Sequence, residues 1–292
     1  MYCCRWRPGA LGDLLGYFLA MGLREVAAET LAIIERGGYT APSGAAVDLR
    51  DSIDASVRGT VLYTPEDLAG LPPRSSGGSL SRMEVTAETT AAAARRLVVE
   101  GNRVVALNFA SAKRPGGGWL GGARAQEEDL ARCSALYPCL LVQPRYYEAN
   151  RASASLLYTD HLIYTPDVPF FRDDGLQLLE APCLVSVITA PAPNAGEVLS
   201  RDPHAGPQVQ AALAARAGKV LSVAAQQGHR TLVLGAWGCG VFRNDPRQVA
   251  AVFAGWLDGA EFAGAFDRVV FAVYDRTCDR ATLRAFESQF GA

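Results

Sequence analysis

The sequence is poor in the features that announce most chemistries. It has three histidines, His161, His204 and His229, scattered with no metal-ligand spacing and none beside an obvious nucleophile. Its seven cysteines (Cys3, Cys4, Cys133, Cys139, Cys183, Cys239 and Cys278) form no C-x-x-C pair. An odd count without a framework spacing argues against zinc and disulfides, and for reduced thiols in a cytoplasm. The net charge is only −2, so no bulk positive field recruits nucleic acid, and no direct DNA binding is expected. A polyanionic ligand has to be held by local geometry instead. There is no internal repeat, no low-complexity tract and no apolar run of the ~20 residues that a bilayer requires, so no membrane partner is expected. The N-terminal "MYCCRWRPGALGDLLGYFLAMG" has two arginines before an apolar run, as a signal peptide does. Asp13 interrupts that run and no small-residue cleavage site follows. Residues 1–20 are expected to be a peripheral extension, with Met21 opening a helix.

What is present is an ordinary soluble composition, 49% hydrophobic and 20% charged over 292 residues, enough for one large domain or one domain with an extension. "REVAAETLAIIER" (24–36) predicts an amphipathic helix stopped by Gly37-Gly38, and "TVLYT" (60–64) a short strand. "LPPRSSGGSLS" (71–81) is the best internal linker, so the chain divides into an N-terminal extension, 1–80, and a core, 81–292, within one compact unit. "TAETTAAAARRLVVEG" (86–101) predicts a helix with a threonine cap. After it, apolar strands at 104–110, 162–171, 183–194, 231–237 and 268–275 alternate with helices near 208–227, 246–258 and 279–289. Asp245-Pro246 supplies N-cap and first turn to the second of these helices. This alternation predicts a three-layer α/β domain with both sheet faces covered.

Two glycine loops follow two of the strands: "NFASAKRPGGG" and "GAWGCGVFRNDP" (235–246). Neither matches G-x-x-x-x-G-K-[ST], nor G-x-G-x-x-G with an acid ~20 residues later, which sets back ATP and plain dinucleotide readings. Glycine loops at the carboxyl ends of strands offer backbone N–H groups to a phosphate, although each taken alone is equally a tight turn. Gln126-Glu127-Glu128 comes directly after the first loop. An acid pair at a helix start usually only complements the helix dipole; beside a backbone-exposing loop it can also handle protons. If residues 126–141 formed one helix, Leu130, Cys133, Tyr137 and Leu141 would be its apolar stripe. Glu128 would then point away, so for Glu128 to reach the loop the helix should begin near or after it.

"GGG", seven residues and "QEE" resemble the GGG-x(6–8)-QEE signature of poly(ADP-ribose) glycohydrolases, and "VVALNFASAKRPGGGWLGGARAQEEDLARCSALY" resembles their bacterial type. "YTDHLIYTPDVPFFRDD", "VSVITAPAPN", "LVLGAWGCGVFRND" and "VVFAVYD" follow in the family's order, so the resemblance covers most of residues 24–290. It implies a macrodomain fold, a mixed sheet between helices with an N-terminal helical extension, that binds ADP-ribose. It makes Glu128 the catalytic acid, has Glu127 hydrogen-bond ribose hydroxyls near the scissile bond, and has Gln126 set the pair. Gly116, Gly117 and Gly118 would line the distal ribose and diphosphate, and Gly238, Cys239, Gly240, Val241 and Phe242 would wrap its other side. Phe271 matches an aromatic placed against the ligand, and Asn108 a ligand-facing asparagine whose blander reading is a loop hydrogen bond. Cys239 is expected to be a small loop residue rather than a reactive thiol.

The implied activity is hydrolysis of ribose–ribose O-glycosidic bonds to release ADP-ribose, with no metal or cofactor. The substrate is poly(ADP-ribose), with ADP-ribosylated proteins as indirect substrates, and the enzyme is expected to be a cytoplasmic monomer. The chemistry suits the residues: an oxocarbenium-like transition state needs a proton on the leaving oxygen, and a carboxyl in a partly dry pocket beside another carboxylate can supply it. Lys113, Arg114, Arg124 and Arg132 near the first loop could meet a phosphate-rich chain or simply be solvated, and Trp119 could shelter the site or merely pack. The rival readings are a non-catalytic ADP-ribose reader, a hydrolase of mono-ADP-ribosyl acids or O-acetyl-ADP-ribose, and a generic nucleotide-binding α/β protein. Trimming from the chain end or cutting within it depends on whether the extension closes the outer ribose pocket.

Overall fold

The computed structural model describes residues 22–71 and 82–291. The expected 1–20 extension and Met21 lie outside the described residues, as does the linker beyond Leu71. The chain begins with α1 (Leu23–Arg36), a small hairpin β1 (Gly38–Thr40) and β2 (Ala46–Asp48), α2 (Arg50–Arg58), β3 (Val61–Tyr63) and α3 (Pro65–Ala69). Next come β4 (Arg82–Thr86), α4 (Thr90–Val99) and β5 (Val104–Phe109), then three helices in succession: α5 (Gln126–Cys133), α6 (Leu136–Leu141) and α7 (Pro144–Ala152). A long antiparallel pair, β6 (Leu162–Arg172) and β7 (Leu178–Ala190), precedes α8 (Ala195–Arg201) and α9 (Gly206–Gln226). The chain closes with β8 (Thr231–Gly235), α10 (Pro246–Leu257), β9 (Arg268–Ala272) and α11 (Ala281–Phe290).

Seven strands form one mixed sheet in the order β3-β6-β7-β5-β8-β9-β4. From β7 to β4 every neighbour is parallel, whereas β3, β6 and β7 pair antiparallel. Side chains alternate across a strand, so Val105 and Leu107 of β5 pack with Leu213, Leu221 and Phe253 from α9 and α10. Val104 and Ala106 pack on the opposite face with Leu97, Leu130 and Leu136 from α4, α5 and α6. Both faces are dry, which is why these strands read as near-continuous apolar runs rather than alternating ones. The expected three-layer α/β/α macrodomain-like architecture is the one that forms. No described helix is long and apolar enough to cross a bilayer.

The N-terminal part is bonded into this body. β3 pairs with β6 at the sheet edge, with Leu62 opposite Ile163. Ala27 of α1 packs with Trp119 and Ala131, and the Thr30 hydroxyl donates to the Arg132 carbonyl at 2.9 Å. Arg172, buried at the end of β6, donates to Glu29 at 2.6 Å and Thr30 at 3.2 Å.

The helix expected over 86–101 is shorter, because its first part is needed elsewhere. Residues 82–86 form β4 against β9, with Met83 opposite Val269 and Val85 opposite Phe271. Thr89 is the cap, its hydroxyl accepting from the Ala92 N–H at 3.1 Å. The strand expected over 183–194 begins earlier and stops at Ala190, before the Pro191 and Pro193 of the next loop.

Candidate active site

β5 and β8 are parallel neighbours, with Val105 opposite Leu232 and Ala106 opposite Val233, so the loops leaving their carboxyl ends stand side by side. In an open α/β sheet this edge is where ligands gather. The first loop runs from Ala110 to Ala125. Gly117 adopts a φ of 61°, and a Cβ there would overlap Glu128 Oε1 and stand 3.1 Å from Glu127 Oε2. Only glycine fits a left-handed turn pressed against two carboxylates. Trp119 is buried beneath the loop, its ring edge-on to Tyr137 with centroids 5.1 Å apart.

The acids are set by α5, which begins at Gln126 and ends at Cys133. Side chains in a helix lean toward its N-terminus, so all three signature residues reach back to the loop and the end of β5. Gln126 Oε1 accepts from the Phe109 N–H at 2.8 Å, while its Nε2 donates to the Leu107 carbonyl at 2.7 Å and Thr90 Oγ1 at 3.1 Å. Glu127, 2% exposed, accepts from the Ser111 N–H at 2.6 Å and from Asn108 Nδ2 at 3.3 Å. Glu128, half-buried, accepts from the Gly118 N–H at 2.9 Å. Burial pushes the Glu127 carboxyl up to about 8; the Ser111 and Asn108 donors work against this and the neighbouring Glu128 charge adds to it. Desolvation is the larger effect, so Glu127 retains its proton at neutral pH.

The second loop follows β8. Gly238 has a φ of 73°, and a Cβ on it would overlap Asn244 Nδ2 and lie 2.5 Å from Ala192 Cβ. Asn244 is buried and donates to the Pro193 and Gly238 carbonyls at 2.8 and 3.1 Å, which seats the turn on the segment after β7. Val241 projects from its tip, 82% exposed. The Phe242 carbonyl accepts from the Gly196 N–H at 2.9 Å, and its ring faces Tyr158 at 5.8 Å.

Two glycine loops on one sheet edge, with an acid pair at the base of the first, can be set beside known proteins. Residues 27–173 match the microbial-type PARG catalytic domain. The X-ray structure of poly(ADP-ribose) glycohydrolase from Thermomonospora curvata is 52% identical, with 91% of this chain and 98% of that chain covered and a TM-score of 0.88. The chain belongs to the microbial-type poly(ADP-ribose) glycohydrolases. The T. curvata enzyme bound to the inhibitor ADP-HPD matches with 52% identity over 91% and 98% of the two chains and a TM-score of 0.86. The Deinococcus radiodurans enzyme in complex with ADP-ribose is 53% identical over 81% of this chain and 96% of that one, with a TM-score of 0.76. No curated protein matches the chain.

Within this glycohydrolase fold Gln126, Glu127, Glu128, Asn108 and the three glycines come together, and Gly238 to Phe242 form the neighbouring loop. Several expectations need correction. The helix begins at Gln126, ahead of Glu128, yet Glu128 reaches the loop because first-turn side chains point backward. Residues 126–141 are two helices, broken where the Ala135 N–H leaves the helix to donate to the Pro169 carbonyl of β6 at 3.1 Å. The dry carboxyl is Glu127, not Glu128. Phe271 is fully buried under α10 and α11, stacked on Phe290 at 4.0 Å, and has no face left for a ligand. Asn108 is fully buried too: its amide nitrogen donates to Glu127 and Thr189, so it acts on the acid, while its amide oxygen has no hydrogen-bond partner among the described residues. Arg132 is buried against Asp129 and the Ala123 carbonyl and offers nothing to a phosphate. Burial pushes the Cys239 thiol up to about 12, which makes it an inert loop residue at neutral pH. Sequence reasoning missed Ser111, Thr90 and Tyr158. The first acts through its backbone and the second through a tertiary contact, so neither carries a motif.

Proposed function

We propose that this enzyme hydrolyses the ribose–ribose O-glycosidic bond of poly(ADP-ribose) and releases ADP-ribose, with Glu128 as general acid and then general base. The observation that carries it is the shared position of Glu127 and Glu128 against Gly117, at the mouth of a loop built from backbone donors. A reader of ADP-ribose has no use for a carboxyl held protonated at neutral pH. Glu127 lies under Asn108 and Ser111, whereas Glu128 is partly open to the loop side, so Glu128 is the carboxyl that meets the substrate. As the bond between the anomeric carbon and the leaving ribose oxygen breaks, Glu128 gives its proton to that oxygen. Water then adds to the anomeric carbon and its proton returns to Glu128, which restores the starting state. Gln126 fixes the register of the helix against β5, and the loop at Gly238–Phe242 grips the diphosphate. As part of the same proposal the enzyme works as a cytoplasmic monomer.

The test is release of ADP-ribose from purified poly(ADP-ribose) by the wild type and Glu128→Gln, with ADP-ribose binding measured on both. Loss of one acid/base group is expected to lower release by roughly 100- to 10,000-fold while binding survives. If both proteins bind and neither cleaves, the chain is a reader and the acid pair is structural.

A further inference from the structure

Tyr158, in the segment between α7 and β6, is a non-glycine residue held at a φ of 61°. A left-handed backbone is costly for a bulky side chain and persists only where the surroundings impose it. Here they do so residue by residue. Arg216 of α9, 1% exposed, donates to the Tyr158 carbonyl at 3.2 Å, the Leu157 carbonyl at 3.0 Å and Asp160 Oδ1 at 2.9 Å. Asp160 is also paired with Lys219. Asn150 of α7 accepts from the Thr159 N–H at 2.9 Å and its hydroxyl at 3.0 Å, and the Leu156 carbonyl accepts from the Asn194 N–H at 3.0 Å.

The strained residue is aimed at the site. Its ring lies 5.8 Å from that of Phe242, tilted by 43°. Arg216 also donates to the Pro191 carbonyl at 2.8 Å, and the chain that follows seats the second loop through Ala192 and Gly196. Tyr158 thus stands against the second loop, and one buried guanidinium braces both the tyrosine and the loop's seat.

We propose that Tyr158 is a positioning residue for the substrate: its ring sets Phe242, and with it the Gly238–Phe242 loop, against the ADP-ribose unit, while Arg216 holds the left-handed backbone that this placement needs. The proposal rests on the assignment of this edge as the poly(ADP-ribose) site. It predicts a substrate-binding defect without a folding defect, because glycine adopts this φ freely but brings no ring.

The experiment compares wild type, Tyr158→Gly and Tyr158→Phe by thermal unfolding, ADP-ribose titration calorimetry and steady-state hydrolysis of poly(ADP-ribose). For Tyr158→Gly the melting temperature should equal or exceed that of the wild type. Its ADP-ribose Kd and its KM should rise about tenfold, the scale of one aromatic contact, with kcat changed much less. Tyr158→Phe should restore wild-type values. A stable Tyr158→Gly with wild-type KM and Kd overturns the proposal, as does a Tyr158→Gly that loses stability, or a Tyr158→Phe as impaired as the glycine variant. Failure of the wild type to bind ADP-ribose at all would sink the functional assignment and this proposal together; a binding, cleaving wild type matched by Tyr158→Gly sinks the proposal alone.

Discussion

Gly117 and Glu128 meet so closely that a β-carbon on the glycine would overlap Oε1 of the glutamate and stand 3.0 Å from its carboxyl carbon. The adjoining Gly118 N–H donates to the same Oε1 at 2.9 Å. The loop therefore does two things at once. It brings backbone donors to the site, and it forms the wall against which the acid is held, so loop conformation and acid placement are one structural variable.

Gly117→Ala separates that coupling from simple loop flexibility. The new methyl meets both the unfavourable φ of 61° and the carboxylate. Displacement of the acid by about 1 Å is expected to lower kcat/KM on the order of 100-fold, with a stability loss of roughly 1–2 kcal/mol. Initial rates of ADP-ribose release and denaturant unfolding check the two parts; a variant with near-wild-type kcat would show that the contact is incidental.

Gln126→Glu probes the joint between β5 and α5. The amide nitrogen that donates to the Leu107 carbonyl at 2.7 Å is replaced by an oxygen, which sets two acceptors face to face. Such a loss costs about 1–3 kcal/mol, or roughly 2–5 °C in melting temperature for a chain of this size. Differential scanning calorimetry at neutral pH reads it, and an unchanged melting temperature would rule out the joint.

Most of the architecture was legible in the sequence because it is written in local patterns. The apolar runs at 104–110 and 231–237 are strands buried on both faces, and Asp245-Pro246 starts a helix as its types require. The GGG and QEE elements found the site because glycine conformation and acid chemistry are both residue-type signals. What stayed hidden depends on tertiary partners. Phe271 could not be told from a ligand-stacking aromatic until Phe253, Phe286 and Phe290 were placed around it. The break at Ser134 comes from pairing with Phe170, 36 residues downstream by chain order, and nothing local at "RCSALY" encodes it. Nor does a sequence show which of two adjacent glutamates is dry.

The buried Glu127 carries a pH dependence whose sign follows from its displacement. Its folded value of about 8 lies above its ordinary 4.5, so the fold binds this proton more tightly than the unfolded chain does. The associated stability is fully present below about 4.5 and is lost as the pH rises through about 8. Glu127→Gln is neutral throughout and lacks that loss. The melting temperature of the wild type relative to the variant should therefore decline between pH 6 and 9; a difference that stays constant over this range would mean that Glu127 is already ionised in the fold.

His229 produces the opposite slope at the far end of the molecule. It precedes β8, at the end of the strand away from the glycine loops, and is 1% exposed. Its Nε2 lies 2.9 Å from the Tyr164 hydroxyl. Burial, with Arg103 adding to it, holds the imidazole down to about 4 from its ordinary 6.5. A group whose folded value is depressed contributes stability above its ordinary value and loses it as the pH falls, here between 6.5 and about 4. His229→Gln keeps a side chain able to bond the Tyr164 hydroxyl but takes up no proton. The variant should lose less melting temperature than the wild type between pH 6.5 and 4.5, and its ADP-ribose release at neutral pH should be unchanged because the site lies at the opposite strand ends. Equal acid sensitivity in the two proteins would place the acid-labile group elsewhere, among the paired carboxylates such as Asp160 beside Arg216 and Lys219.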